Sequence, residues 1–160
     1  MNKQTVHQLI LEKLSADLEI ARRAAQTAYE TATHEENIAE NKYDTLGLEA
    51  SYLAAGQARR VEEIRQALVL CQNMNLGAYN AQQGIQVGTL LGLEDENGRQ
   101  QWLFLAPDGA GLKVCLVGQP ITVITPHSPL GKSLVGKFED DEVEIVVAGT
   151  RQQFTVTEVL

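Results

Sequence analysis

Ser128-Pro129-Leu130-Gly131-Lys132-Ser133-Leu134-Val135-Gly136-Lys137, followed almost at once by Asp140-Asp141-Glu142-Val143-Glu144-Ile145, describes one short helix packed between two strands. Ser128 is placed to accept from the free amides of a first helical turn, Pro129 suits the first helical position, and Gly136 can take the left-handed conformation that ends a helix. Leu130, Leu134 and Val135 then share a face for burial. Gly131-Lys132-Ser133 also ends like a phosphate-binding loop, but that motif needs a glycine five residues earlier, where Pro126 has no amide to offer.

Outward from this helix the chain alternates as strands do. Expected strands are Ile85–Leu93, Gln101–Leu105, Leu112–Val117, Ile121–Thr125, Val143–Val147 and Phe154–Val159. Asn97-Gly98 is a hairpin signal between the first two, and Asp108-Gly109-Ala110-Gly111 marks another turn. Trp102 and Phe104, two apart on one strand, share a face and read as core.

Upstream, residues 5–71 lack proline and read as two helices. In the first, Leu11, Leu14, Leu18, Ala21, Ala25, Ala28 and Ala32 are spaced 3, 4, 3, 4, 3 and 4 apart. In the second, Ala50, Ala54, Ala58, Val61, Ile64, Leu68 and Cys71 are spaced 4, 4, 3, 3, 4 and 3 apart. Both average 3.5 residues per turn, the seam of a coiled coil. An antiparallel hairpin turning near His34 to Asp44 sets the leucine-rich start of the first helix beside Val61, Ile64 and Leu68. Each arm would span roughly 45 Å at the usual helical rise. Seam spacing does not choose its partner helix, so an intermolecular coiled coil is the alternative. The expected fold class is α+β. A helical hairpin (1–75) precedes a linker (76–84) and an antiparallel sheet domain with one short helix (85–160).

The net charge of −8 argues against unaided binding to duplex nucleic acid, which directs any nucleic-acid role through a protein partner. Cys71 and Cys115 have neither zinc nor redox spacing and are expected to be buried free thiols. The amino terminus is polar, with neither signal peptide nor membrane span, so a cytoplasmic protein is expected. His7, His34 and His127 are scattered, and no Ser-His-Asp or Cys-His constellation is evident, so no metal site or cofactor of its own is expected.

With these parts in hand, the chain resembles the Gre family of bacterial transcription elongation factors. The likeness rests on the Ser-Pro-Leu at 128–130, Gly136-Lys137, the acidic turn and the strand Glu142-Val143-Glu144-Ile145. Arg60-Val61-Glu62-Glu63-Ile64 adds similarity to a Gly-Arg-Ile-x-x-Ile segment of the family. The resemblance implies an FKBP-like sheet domain docking at the secondary channel of RNA polymerase, with Ser128, Pro129 and Leu130 as partner contacts. It also implies a coiled coil reaching toward the polymerase active centre. Members that stimulate cleavage of backtracked RNA carry two acids at the hairpin tip, in an Asp-x-x-Glu arrangement followed by Asn. Their carboxylates assist Mg²⁺ in the polymerase active centre. On this reading the protein is not an enzyme alone. It meets the nascent RNA 3′ end only through polymerase and takes no small-molecule substrate.

The tip here reads His34-Glu35-Glu36-Asn37-Ile38-Ala39-Glu40-Asn41-Lys42-Tyr43-Asp44-Thr45, without Asp-x-x-Glu. Counting from Arg60 at the family's interval sets Glu40 at the first acid and Tyr43 at the second. Matching Glu40-Asn41 to the family's Glu-Asn leaves Asn37 at the first acid. The resemblance thus names Glu40, then Asp44, then Glu36 as the tip acids, with Asn41, Lys42 and Tyr43 shaping the tip or touching polymerase. Solvation of an exposed turn is the alternative. Antiparallel pairing also sets Arg22 and Arg23 near Arg59 and Arg60, a basic band suited either to phosphates or acidic channel walls, or to salt bridges with Glu19, Glu62 and Glu63. Three functions follow: stimulation of cleavage, channel occupancy without cleavage, and prolyl isomerisation in the sheet domain. The last needs an apolar pocket lined by aromatics, which three Phe, four Tyr and one Trp supply poorly.

Overall fold

The computed structural model describes residues 1–34 and 45–160, without the side chains of 45 and 46. By compactness it divides into two units, Met1–Glu12 with Val69–Leu160, and Lys13–Leu68.

Two long helices, α1 (Lys3–Thr33) and α2 (Thr45–Asn73), supply the expected hairpin. Asn2 caps α1, its Oδ1 accepting from the Thr5 amide at 3.1 Å. Along α1 the buried apolar positions are Val6, Ile10, Leu14, Leu18, Ala21 and Ala28, steps of 4, 4, 4, 3 and 7. The seam therefore begins earlier than expected, and Ile10 is buried where Leu11 is only half-buried. On α2 a second correction falls at Ala58, which is exposed; Gln57 is half-buried in its place. A step of three from Ala54 keeps the stripe in phase, and the Gln57 stem supplies apolar length that an alanine lacks. Within Lys13–Leu68, a shallow groove is lined by Ala24, Thr27, Ala28 and Thr31 from one helix and Ala50, Leu53 and Gln57 from the other, the meeting of residues expected of antiparallel helices.

The sheet has six strands: β1 (Leu90–Asp95), β2 (Gln100–Leu105), β3 (Lys113–Leu116), β4 (Gln119–Ile124), β5 (Glu142–Val147) and β6 (Thr150–Val159), in the order β3-β4-β2-β1-β6-β5. All neighbours are antiparallel except β2 and β4. The short helix α3 spans Pro129–Leu134. Asn97-Gly98 does turn β1 into β2, held by Asp95 Oδ1, which accepts from the amides of Asn97 (2.8 Å) and Arg99 (2.9 Å).

The first strand begins at Leu90, five residues later than its apolar pattern suggests. Ile85 instead brackets the exit of α3, donating to Lys137 O and accepting from the Gly136 amide, both at 2.8 Å. One sheet face carries Leu91, Leu93, Leu103, Leu105 and Ile124, which pack with Ile85, Leu134, Val143 and Val156. The opposite face carries Leu90, Phe104 and Val123, which pair in register, and Ile121, which pairs with Trp102; all but Trp102 are 0% exposed. His7 of α1 stacks on Phe104 there, with ring centroids 6.5 Å apart. A sheet covered on both faces explains why β1 is buried at four consecutive positions instead of alternating.

Candidate functional site

The α3 segment is built by its own sequence. Ser128 accepts from the Gly131 amide (3.1 Å) and donates through its hydroxyl to Thr125 O (2.9 Å), so the cap is tied back to the end of β4. Pro129 is exposed at the first helical position, and Leu130 packs against the core. Gly136, at φ 79°, ends the helix, and its amide is the one that reaches Ile85. The acidic turn beyond is structural: Asp141 Oδ2 accepts from the Phe138 amide (2.8 Å), while Asp140 N and Val156 N bond across to β6 and back at 2.8 and 2.9 Å. Lys132 and Lys137 remain exposed beside it. The segment thus exposes Pro129, Lys132, Lys137 and a carboxylate-rich turn, while Gly131 is buried in packing.

The four arginines of the basic band lie exposed within Lys13–Leu68. Arg23 meets Glu19 at 3.1 Å and Arg60 meets Glu63 at 3.5 Å. Glu62 pairs instead with Arg65, whose hydrogen bond holds that carboxyl below its ordinary range. Arg22 and Arg59 have no carboxylate partner among the described residues. Half of the band is therefore without an ion pair among the described residues. Glu36, Glu40, Asn41, Lys42, Tyr43 and Asp44 lie outside the described residues, and the remaining candidates divide between the two units: the arginines in one, Ser128, Pro129 and Leu130 in the other.

The cysteine expectation holds for Cys71 alone. Cys71 is buried, its thiol lying 3.6 Å from Asp108 O, and burial pushes the thiol pKa up to about 11. Cys115 is exposed, because β3 is an edge strand whose alternate residues face outward. Among the described residues no group of three His, Cys, Asp or Glu is arranged to hold a metal, and no helix is long and apolar enough to cross a membrane. A groove of the sheet runs over Asp95, Arg99, Gln101, Arg151 and Gln153, with Phe154 as its one aromatic, a lining unlike an isomerase pocket.

One constellation was not expected from the sequence. Lys3 is 8% exposed and donates to Gly77 O at 2.8 Å, in a small cavity walled by residues between Asn75 and Thr89. The signal was present in the seam: Lys3 falls in step with Val6, Ile10 and Leu14, where an apolar residue belongs.

The chain matches no protein-family model and no curated protein. Among solved structures it matches GreA factor homolog 1 (Gfh1) of Thermus thermophilus at 20% identity, covering 94% of each chain with a TM-score of 0.38. It matches Thermus aquaticus Gfh1 at 21% identity, covering 92% of each chain, also at 0.38. The chain is similar to Gre-type factors. A transcription elongation factor GreA/GreB from Nitrosomonas europaea matches at 14% identity over 70% of this chain and 91% of that one, with a TM-score of 0.37. At these identities and scores the Gre likeness assigns no residue a role.

Proposed function

We propose that this chain is a Gre-like transcription factor that docks on bacterial RNA polymerase and enters its secondary channel with the helical hairpin. The observation that carries the reading is the order of parts: a hairpin of helices of 31 and 29 residues, then a sheet domain whose capped helix and acidic turn carry the Ser128–Ile145 signature. Docking falls to the α3 segment, with Ser128 setting the cap and Pro129 exposed beside it. Arg22 and Arg59, without an ion pair among the described residues, give the arm a positive band in an acidic chain, suited to phosphates or acidic walls.

The activity proposed is stimulation of the polymerase's own cleavage of backtracked RNA. Glu40, Asp44 and Glu36 would supply carboxylate oxygens, hard ligands of the kind magnesium prefers, to the ion that polymerase itself carries. Glu40→Ala is expected to abolish RNA shortening in stalled complexes while leaving polymerase binding unchanged. Bound wild-type protein with RNA of unchanged length would reject cleavage.

A second reading keeps docking and drops the chemistry, favoured by the tip's lack of Asp-x-x-Glu. A channel-occupying regulator slows nucleotide addition and cleaves nothing, which rate measurements on the same complexes distinguish.

A further inference from the structure

The cavity around Lys3 belongs wholly to the unit formed by Met1–Glu12 and Val69–Leu160. Its volume is about 180 Å³, and its walls contain no aspartate or glutamate although the chain has 21 acidic residues against 13 basic ones. Lysine is almost never this buried without a counter-ion. The Lys3 ammonium has three donors, of which Gly77 O takes one. No carboxylate pairs with it among the described residues, and burial lowers its pKa, the mark of a positive charge left uncompensated.

Two side-chain amides of the wall are turned as donors by the chain itself, while Gln86 is turned the other way, its Nε2 donating to Gln83 O at 3.2 Å. Asn75 Oδ1 accepts from the Gly77 amide (2.9 Å) and Asn80 Oδ1 accepts from the Gln82 amide (2.8 Å). Both side-chain oxygens are thereby committed, which fixes the amide orientation and leaves the two NH₂ groups as the available ends. Thr89 Oγ1 accepts from the Gln86 amide at 3.2 Å, leaving its hydroxyl proton to donate. Gln83 lines the same wall. A buried cation beside side-chain donors whose oxygens are held in local turns is an arrangement suited to an anion.

We infer that this cavity is a binding site for a phosphate-sized oxyanion, free or as the terminal group of a phosphomonoester, with Lys3 as its charged anchor and Asn75, Asn80, Gln83 and Thr89 as donors. The bound anion supplies the counter-charge that Lys3 lacks and ties the start of α1 to the segment joining α2 to the sheet. The inference is independent of the polymerase reading.

The test titrates inorganic phosphate, and separately glycerol 3-phosphate, into the full chain at constant ionic strength, following backbone amides by NMR. Saturable shifts are expected at Gly77, Asn80 and Gln83. Lys3→Met should weaken the apparent affinity at least tenfold and Gln83→Leu by a smaller factor, both with unchanged circular dichroism. Saturation by both ligands assigns the site to phosphomonoesters, and saturation by phosphate alone assigns it to the free ion. Gln83→Leu, at an exposed position, carries the comparison if Lys3→Met does not fold. Shifts that fail to saturate, that chloride reproduces, or that survive unchanged in the folded variants overturn the inference.

Discussion

Replacing Gly131 by alanine sets two effects against each other. Alanine is favoured over glycine in a helix interior by about 1 kcal/mol, so helix propensity alone expects a gain. Gly131, however, is buried against the end of β4, and a Cβ there would fall on the Thr125 carbonyl oxygen, with Thr125 C at 2.7 Å and Ser128 Oγ at 2.9 Å. The obstacle is backbone, which cannot swing aside as a side-chain end can. Moving it would also loosen the two bonds that Thr125 O accepts, from Ser128 N at 3.2 Å and Ser128 Oγ at 2.9 Å. Overpacking of this kind costs about 1–3 kcal/mol, and a weakened hydrogen bond adds about 1. Net of the helix gain, Gly131→Ala should destabilise by about 1–3 kcal/mol. With a urea slope of about 1.5–2 kcal/mol per molar, the unfolding midpoint should fall by roughly 0.5–2 M with the slope unchanged. Gly136→Ala is the control: its Cβ meets nothing within 4 Å and φ is +79°, so only the left-handed backbone cost of about 1–2 kcal/mol applies. A midpoint for Gly131→Ala at or above wild type would refute the packing argument.

Thiol labelling of the native protein at mildly alkaline pH should consume Cys115 quickly and Cys71 only on unfolding, read by mass spectrometry as one fast equivalent. Because the folded Cys71 pKa is raised from 9.0 to about 11, the unfolded chain loses its proton first as pH rises. Stability should therefore decline between pH 9 and 11, and Cys71→Ala should flatten that part of the denaturation profile. Val117→Asn should stabilise by about 0.5–1 kcal/mol in thermal melts, since a β-branched residue at φ 50° and 95% exposed pays for a left-handed turn that asparagine tolerates better. Leu134→Ala, which empties a fully buried position of the α3 cluster, should cost about 2–5 kcal/mol by urea titration.

The hairpin was legible because its seam repeats every 3.5 residues over many turns, and α3 because Ser128, Pro129 and Gly136 each do locally what their chemistry favours. Ile85 misled because an apolar residue before a strand looks like the strand, while its backbone partners lie more than fifty residues downstream. Cys115 misled because edge position depends on strand order, which alternation does not encode. Lys3 was visible as a charge on an apolar stripe, but its cavity needed the segment between Asn75 and Thr89 to be folded around it.

The clasp at the helix bases has an evolutionary consequence. Lys3 with Gly77 and His7 with Cys71 join positions 74 and 64 residues apart, so the unit containing the sheet is closed by two chain segments with the rest of the hairpin inserted between them. Loop-closure entropy grows only logarithmically, about 0.6 kcal/mol per doubling of length. The arm can therefore lengthen or shorten by matched heptads, one from each helix, with little effect on the clasp. The length of the two helices is thereby free to vary while the base keeps its own stability.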